Sequence, residues 1–144
     1  MPQASFVLDT SVTVASVLPY ERWHTQADAL MQSLVAAPAI VPGIWVYEVS
    51  ATLLRVMRDG NITRLEADTA LHDLFQLSIA VVTDIYRGLI LTEIWRVAGV
   101  SGLKLKDACF LHLAAVLDIP LATFDSQLRR AAAARGIALL PMPL

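Results

Sequence analysis

The sequence is poor in cysteine and glycine and has no long apolar run. Cys109 is the single cysteine in 144 residues, which excludes an internal disulfide and a cysteine zinc site and makes the reducing cytoplasm the expected setting. Charges or prolines interrupt every apolar stretch before it reaches the roughly 20 residues of a membrane-spanning helix. No Lys or Arg precedes the first apolar segment, so we expect no signal peptide. The absence of a glycine-rich phosphate loop argues against nucleotide binding by that route.

Apolar residues, by contrast, are abundant. They make up 56% of the chain, and charged residues make up 17%, which argues against a disordered protein and favours a layered α/β domain with elements buried on more than one face. No linker, repeat or low-complexity tract divides the chain, so residues 1–144 are predicted to form one domain. The net charge is −2; any nucleic acid would therefore have to bind at a local basic patch and through cations.

Short apolar runs alternate with helical patterns along the whole chain. Because helical crossovers join parallel strands, this alternation predicts an α/β fold of three α/β/α layers with a mostly parallel sheet of about five strands. In such a sheet the residues that follow the strands converge on one edge. The predicted strands are 5–8, 39–41, 78–82, 121–124 and 136–140, and the predicted helices begin after residue 9 and cover 21–36, 42–58, a segment from 63, 84–98, 106–117 and 125–135.

Two of the predicted strands end in an aspartate beside hydroxyl residues. Asp9 is followed by Thr10 and Ser11, and Asp125 is preceded by Thr123. Either aspartate alone is equally well explained as the N-cap of the next helix. Together, on neighbouring strands, they would bring two anions into one crevice, which is costly unless a cation lies between them. Their hard oxygen ligands suit Mg²⁺ or Mn²⁺.

Two further carboxylates lie in predicted helices. Glu48 is in an otherwise apolar helix, where a solvated stripe with a Glu48–Arg55 pair is the alternative explanation. Asp107 opens another helix, where an acid is favoured by the helix dipole without any catalytic role. Neither position indicates an active site by itself.

Four motifs, taken together, resemble the PIN domain and, more narrowly, the VapC-type toxins of type II toxin–antitoxin pairs. Three positions depart from the family pattern: Ala51 and Lys106, where Asn and Tyr are common, and Asp118 at a turn often held by Gly. These departures affect substrate preference rather than the class. The motifs are Leu8-Asp9-Thr10-Ser11, Pro42-x-x-Trp45-x-x-Glu48-Val49, Lys106-Asp107-Ala108-x-x-x-x-Leu113-Ala114 and Leu121-Ala122-Thr123-x-Asp125-x-x-Leu128.

The resemblance implies a Mg²⁺- or Mn²⁺-dependent endoribonuclease whose catalytic quartet is Asp9, Glu48, Asp107 and Asp125. The three aspartates would bind the metal, Glu48 would orient or deprotonate the attacking water, and Thr10, Ser11 and Thr123 would support the site. The resemblance further implies an RNA substrate, a VapB-like antitoxin partner and a homodimer.

Some expectations rest on weaker patterns. Basic residues flank two of the proposed ligands and are candidates for contacts with RNA phosphates, although each is equally explained as solvated surface: Lys104, Lys106, Arg129 and Arg130. Two other functions remain open, a catalytically silent PIN-like binding module and a metal-dependent phosphatase. The phosphatase ranks last because Ser11 stands where a second aspartate of the first motif would be needed.

Overall fold

The computed structural model describes residues 4–83, 88 and 90–142. Within them one sheet of five strands forms, consisting of β1 (Val7–Leu8), β2 (Ala39–Pro42), β3 (Ile79–Val82), β4 (Leu121–Ala122) and β5 (Leu139–Leu140). The strand order is β3-β2-β1-β4-β5, and each neighbouring pair is parallel. The predicted α/β sheet of about five strands is confirmed, and in the described residues it is parallel throughout.

Helices flank the sheet in three α/β/α layers. They are α1 (Thr10–Val17), α2 (His24–Gln32) with a 3₁₀ turn (Ser33–Val35), α3 (Ile44–Arg58), α4 (Arg64–Gln76), a π-helical turn (Ile90–Ile94) that continues into α5 (Trp95–Ser101), α6 (Leu105–Leu117) and α7 (Ser126–Ala134). No helix in the described ranges is both long enough and apolar enough to cross a bilayer.

The two central strands position the site. β1 and β4 lie side by side, with Val7 paired to Leu121 and Leu8 to Ala122, and all four side chains are fully buried. The chain builds β2 and β3 on one side of β1 and then returns to build β4 and β5 on the other. The residues after β1 and β4 therefore flank the point at which the strand order reverses, where parallel sheets bind ligands.

Several predicted boundaries differ from the structure for local reasons. Pro42 was expected to open the third helix, but it ends β2, and α3 begins at Ile44. Gly43 allows this sharp join, because a Cβ there would lie 3.3 Å from the carbonyl oxygen of Val82. The helix predicted to stop near residue 98 runs on to Ser101 and ends where Gly102 adopts φ 67°, a left-handed conformation that favours glycine. The predicted helix start at Asp84 lies outside the described residues.

Candidate active site

A hydrogen-bond network joins the ends of β1 and β4 around Asp9. One carboxylate oxygen, Oδ2, accepts hydrogen bonds from the Ser11 hydroxyl at 2.6 Å and the Thr123 hydroxyl at 2.8 Å. The Thr123 hydroxyl also accepts a hydrogen bond from the backbone N–H of Asp125 at 3.1 Å, and the Ser11 hydroxyl accepts one from the backbone N–H of Phe124 at 3.0 Å. Ser11 and Thr123 therefore lock the Asp9 carboxylate and fix β1 relative to the segment after β4.

Asp9 is the most buried carboxylate of the cleft, with 5% of the residue exposed. Burial raises the pKa of Asp9 above its ordinary value, and the hydrogen bonds from Ser11 and Thr123 oppose that rise. Among the described residues, Oδ1 of Asp9 accepts no hydrogen bond. The network thus holds one oxygen and leaves the other available to a ligand.

Asp9 and Asp125 are also N-caps, as the alternative explanation predicted. Asp9 accepts a long hydrogen bond from the Ser11 N–H at 3.4 Å, and Oδ1 of Asp125 accepts one from the Leu128 N–H at 2.8 Å. Oδ2 of Asp125 accepts no hydrogen bond from the described part of the chain. Capping by one oxygen therefore leaves the second free, so the cap and ligand roles are compatible.

Asp107 lies in the first turn of α6 and is partly buried. Burial, and then the negative charges of Asp9 and Asp125, raise the pKa of Asp107 from 3.8 to about 6. Lys106 opposes this rise, and Glu48 adds a little to it. Neither oxygen of Asp107 takes part in a hydrogen bond recorded within the described ranges. This carboxylate is an anion held among anions, which a cation would stabilise.

Glu48 differs from the three aspartates because both of its oxygens are engaged. Oε2 lies 2.9 Å from the Lys106 ammonium, and Oε1 accepts a hydrogen bond from Thr10 at 3.3 Å. The side chain of Glu48 is only 11% exposed. The alternative pair with Arg55 does not form, since Arg55 lies 3.8 Å from Asp59 instead.

All four carboxylates line one cleft of about 310 Å³, together with Thr10, Ser11 and Lys106. In the described residues no three acidic, His or Cys side chains are already close enough to hold a metal ion. Asp125 directs one oxygen to its helix, and Glu48 directs both of its oxygens to Thr10 and Lys106. The remaining free oxygens belong to Asp9, Asp107 and Asp125. Carboxylate oxygens of this kind are the ligands that a hard divalent cation prefers.

The structure adds a wall of the cleft that the sequence did not predict. Trp23 and Phe124 line it and stack with ring centroids 5.8 Å apart and planes 20° apart, and the Arg22 guanidinium lies 4.6 Å from the Trp23 ring. Glu21 also lines the cleft. Trp23 and Phe124 are 101 positions apart, and no local pattern marks such a contact.

The basic candidates are dispersed. Lys104 is exposed at the start of α6, Lys106 binds Glu48, and Arg130 is exposed on α7. Arg129 differs from the expectation: its guanidinium donates to the carbonyl oxygens of Thr123 at 2.8 Å, Leu140 at 3.3 Å and Pro141 at 2.9 Å. These bonds anchor the C-terminal segment to β4 and engage the guanidinium that was expected to contact RNA phosphates.

Comparisons with known proteins bear on the whole chain. The sequence matches the PIN domain family model over residues 6–134. No curated protein matches it. The fold is similar to three solved structures. For PAE2754 from Pyrobaculum aerophilum the TM-score is 0.70 at 22% identity, covering 94% of this chain and 90% of that one. For FitAcB from Neisseria gonorrhoeae it is 0.63 at 19% identity, covering 93% and 95%. For VapBC2 from Rickettsia felis, bound to a DNA fragment from their promoter, it is 0.61 at 13% identity, covering 93% and 96%.

Proposed function

The chain belongs to the PIN domain family, and from this membership and the cleft we propose that it is a divalent-metal-dependent endoribonuclease. PIN domains are generally nucleases, which sets the class of reaction at family level. The finer assignment, to Mg²⁺ or Mn²⁺ and to RNA, rests on the chemistry of the carboxylates. We further propose that the enzyme is a toxin of the VapC type.

One observation carries the proposal: three aspartates offer unbonded oxygens to the same cleft. Burial and the negative charges of Asp9 and Asp125 raise the pKa of Asp107 to about 6, so a bound cation would stabilise the ionised carboxylates. Carboxylate oxygens are the ligands that Mg²⁺ and Mn²⁺ prefer. Asp9, Asp107 and Asp125 are therefore the residues that we propose as ligands.

We assign the side chains of the cleft separate roles in hydrolysis. Asp9, held by Ser11 and Thr123, provides a fixed ligand. A divalent ion bound there would lower the pKa of water and neutralise charge on the phosphoryl oxygens. We propose that Glu48, which lines the same cleft, orients or deprotonates the attacking water. Lys104 and Arg130, both exposed, are proposed to contact flanking RNA phosphates, for which the acidic cleft itself has no affinity.

A toxin of this kind needs an inhibitor, and the structure offers a groove for one. A cavity of about 770 Å³ lies beside α1, α2 and α4, lined by apolar side chains that include Met31, Leu65 and Leu74. We propose that an amphipathic helix of a VapB-like antitoxin binds there. FitAcB and VapBC2 resemble this chain in fold, and that similarity is the only support that they give to the proposed antitoxin. The homodimer stays a prediction, which light scattering would test.

The proposal is tested by cleavage of single-stranded RNA with purified protein. We expect cleavage in Mn²⁺, none in excess EDTA, and none by Asp9→Asn, which keeps the side-chain shape while removing the charge. Asp68→Asn, on the exposed face of α4, is the matched control and should cleave as the wild type does. An RNase that survives EDTA would overturn the metal mechanism. Binding of an antitoxin without any cleavage would favour the silent binding module.

A further inference from the structure

Lys106 is the one described lysine or arginine whose charge lies inside the cleft on a catalytic candidate. Its ammonium is 2.9 Å from Oε2 of Glu48, and its side chain is 48% exposed whereas that of Glu48 is 11% exposed. The ion pair therefore brings one positive charge directly onto the Glu48 carboxylate inside the cleft.

The ion pair with Lys106 makes Glu48 different from the three aspartates, because both of its oxygens already have partners. Oε1 of Glu48 accepts a hydrogen bond from Thr10, and Oε2 binds Lys106. Asp9, Asp107 and Asp125 each retain an oxygen with no hydrogen-bond partner among the described residues. One cationic side chain thus already contacts the carboxylate of Glu48, which a second metal ion would need as a ligand.

We propose that the Lys106 ammonium takes the place of a second metal ion: it neutralises and holds Glu48, so that the cleft binds a single divalent ion on the three aspartates. This inference rests on the proposed function. It makes Lys106 a positioning residue, acting through Glu48.

The pair is not explained by stability. Half-exposed ion pairs are screened and contribute between about 0 and 1 kcal/mol to folding. A fixed positive charge beside four carboxylates has a larger effect on ion binding, because a divalent ion feels twice the repulsion of a monovalent one. The consequence of the pair is therefore electrostatic, and ion counting can measure it.

The test is calorimetric titration of the metal-free protein with Mn²⁺, with electron paramagnetic resonance counting free Mn²⁺. We expect one ion per chain for the wild type. Lys106→Met frees Glu48 and removes the competing charge; we expect a second ion and a first site about ten-fold tighter. Lys106→Arg keeps the charge and should behave as the wild type. Lys104→Met removes an equal charge two residues away and should still bind one ion.

The outcomes separate this inference from the proposed function. Two ions on the wild type, or one ion with unchanged affinity on Lys106→Met, would overturn the role of Lys106 even if RNA is cleaved in Mn²⁺. A wild type that neither binds Mn²⁺ nor cleaves RNA would overturn the proposed function and this inference with it. A wild-type count of two ions would overturn the role of Lys106 whether or not the variants fold.

Discussion

Asp107→Asn should have opposite effects on stability with and without metal. In the metal-free protein at pH 7.5, Asp107 is ionised at a position where burial and the charges of Asp9 and Asp125 disfavour ionisation. The rise in its pKa from 3.8 to about 6 corresponds to about 3 kcal/mol. Solvent screening of this partly buried group reduces the figure, and we expect a gain of about 1 kcal/mol. For 144 residues that is about 3 °C in Tm.

The pH dependence of this gain has a definite sign. Below about pH 3.8 the carboxyl is protonated in both states, and Asp107→Asn gains nothing. Between 3.8 and about 6 the folded wild type holds more protons than the unfolded chain, so its stability falls as pH rises. Above about 6 the penalty is complete. The difference in Tm between variant and wild type should therefore grow through this window and then level off.

Saturating Mn²⁺ should reverse the order of stability. A ligand at 100 times its Kd stabilises the folded state by about 2.7 kcal/mol, which for this chain is about 9 °C in Tm. The variant lacks a ligand and should gain much less. Differential scanning fluorimetry in EDTA and in Mn²⁺, with Asp68→Asn as the control, measures both effects.

The refuting result is equally definite. If Asp107 only complements the helix dipole, Asp107→Asn would lower the free energy of unfolding by about 0.3–1 kcal/mol in EDTA at pH 7.5. A metal-free variant less stable than the wild type would therefore favour the dipole explanation and remove the electrostatic basis of the site.

Three other changes test neighbouring parts of the site. Thr123→Val removes the hydroxyl that donates a 2.8 Å hydrogen bond to Asp9. We expect the free energy of unfolding in urea to fall by about 1–3 kcal/mol and Mn²⁺ binding measured by calorimetry to weaken. Unchanged stability and Mn²⁺ affinity would contradict the role of this hydrogen-bond network. Arg130→Met should weaken RNA binding and lower its salt slope by about one, whereas a salt slope equal to that of the wild type would return Arg130 to solvated surface. Arg129→Met should instead speed hydrogen exchange in residues 139–142, which its guanidinium anchors, with little change in the salt slope.

The order of elements was predictable because each strand is a local pattern, but element lengths were not. β4 was predicted over residues 121–124 and has two residues, Leu121–Ala122. The hydroxyl of Thr123, directly after it, turns to Asp9 across the sheet. At the C-terminal end of α6, Asp118 adopts φ 53°, a left-handed conformation that Asp tolerates and that strains most other side chains. Tertiary hydrogen bonds and single backbone conformations decide such boundaries.

That the four carboxylates share one cleft was predictable, whereas their individual contacts were not. The three aspartates follow strands or lie in the first turn of a helix, Glu48 lies within α3, and the family pattern indicates all four. The pair between Glu48 and Lys106 joins residues 58 positions apart, and Glu48 had been given a local partner, Arg55, by helical spacing. Local spacing predicts which side chains share a helix face. It carries no information on a partner that a second helix brings in.

The proposed metal ion would couple its binding to folding through the Asp9 network. Ser11 and Thr123 together offset the burial of one carboxylate, while Asp107 has no such support and lies between two like charges. A chain selected only for stability would replace Asp107 with a neutral residue. A cation reverses that preference, because it converts mutual repulsion into shared ligation and adds its binding free energy to folding. The disfavoured charge at Asp107 is thus the feature that the proposed ion-binding role explains and that interaction with the helix dipole alone does not.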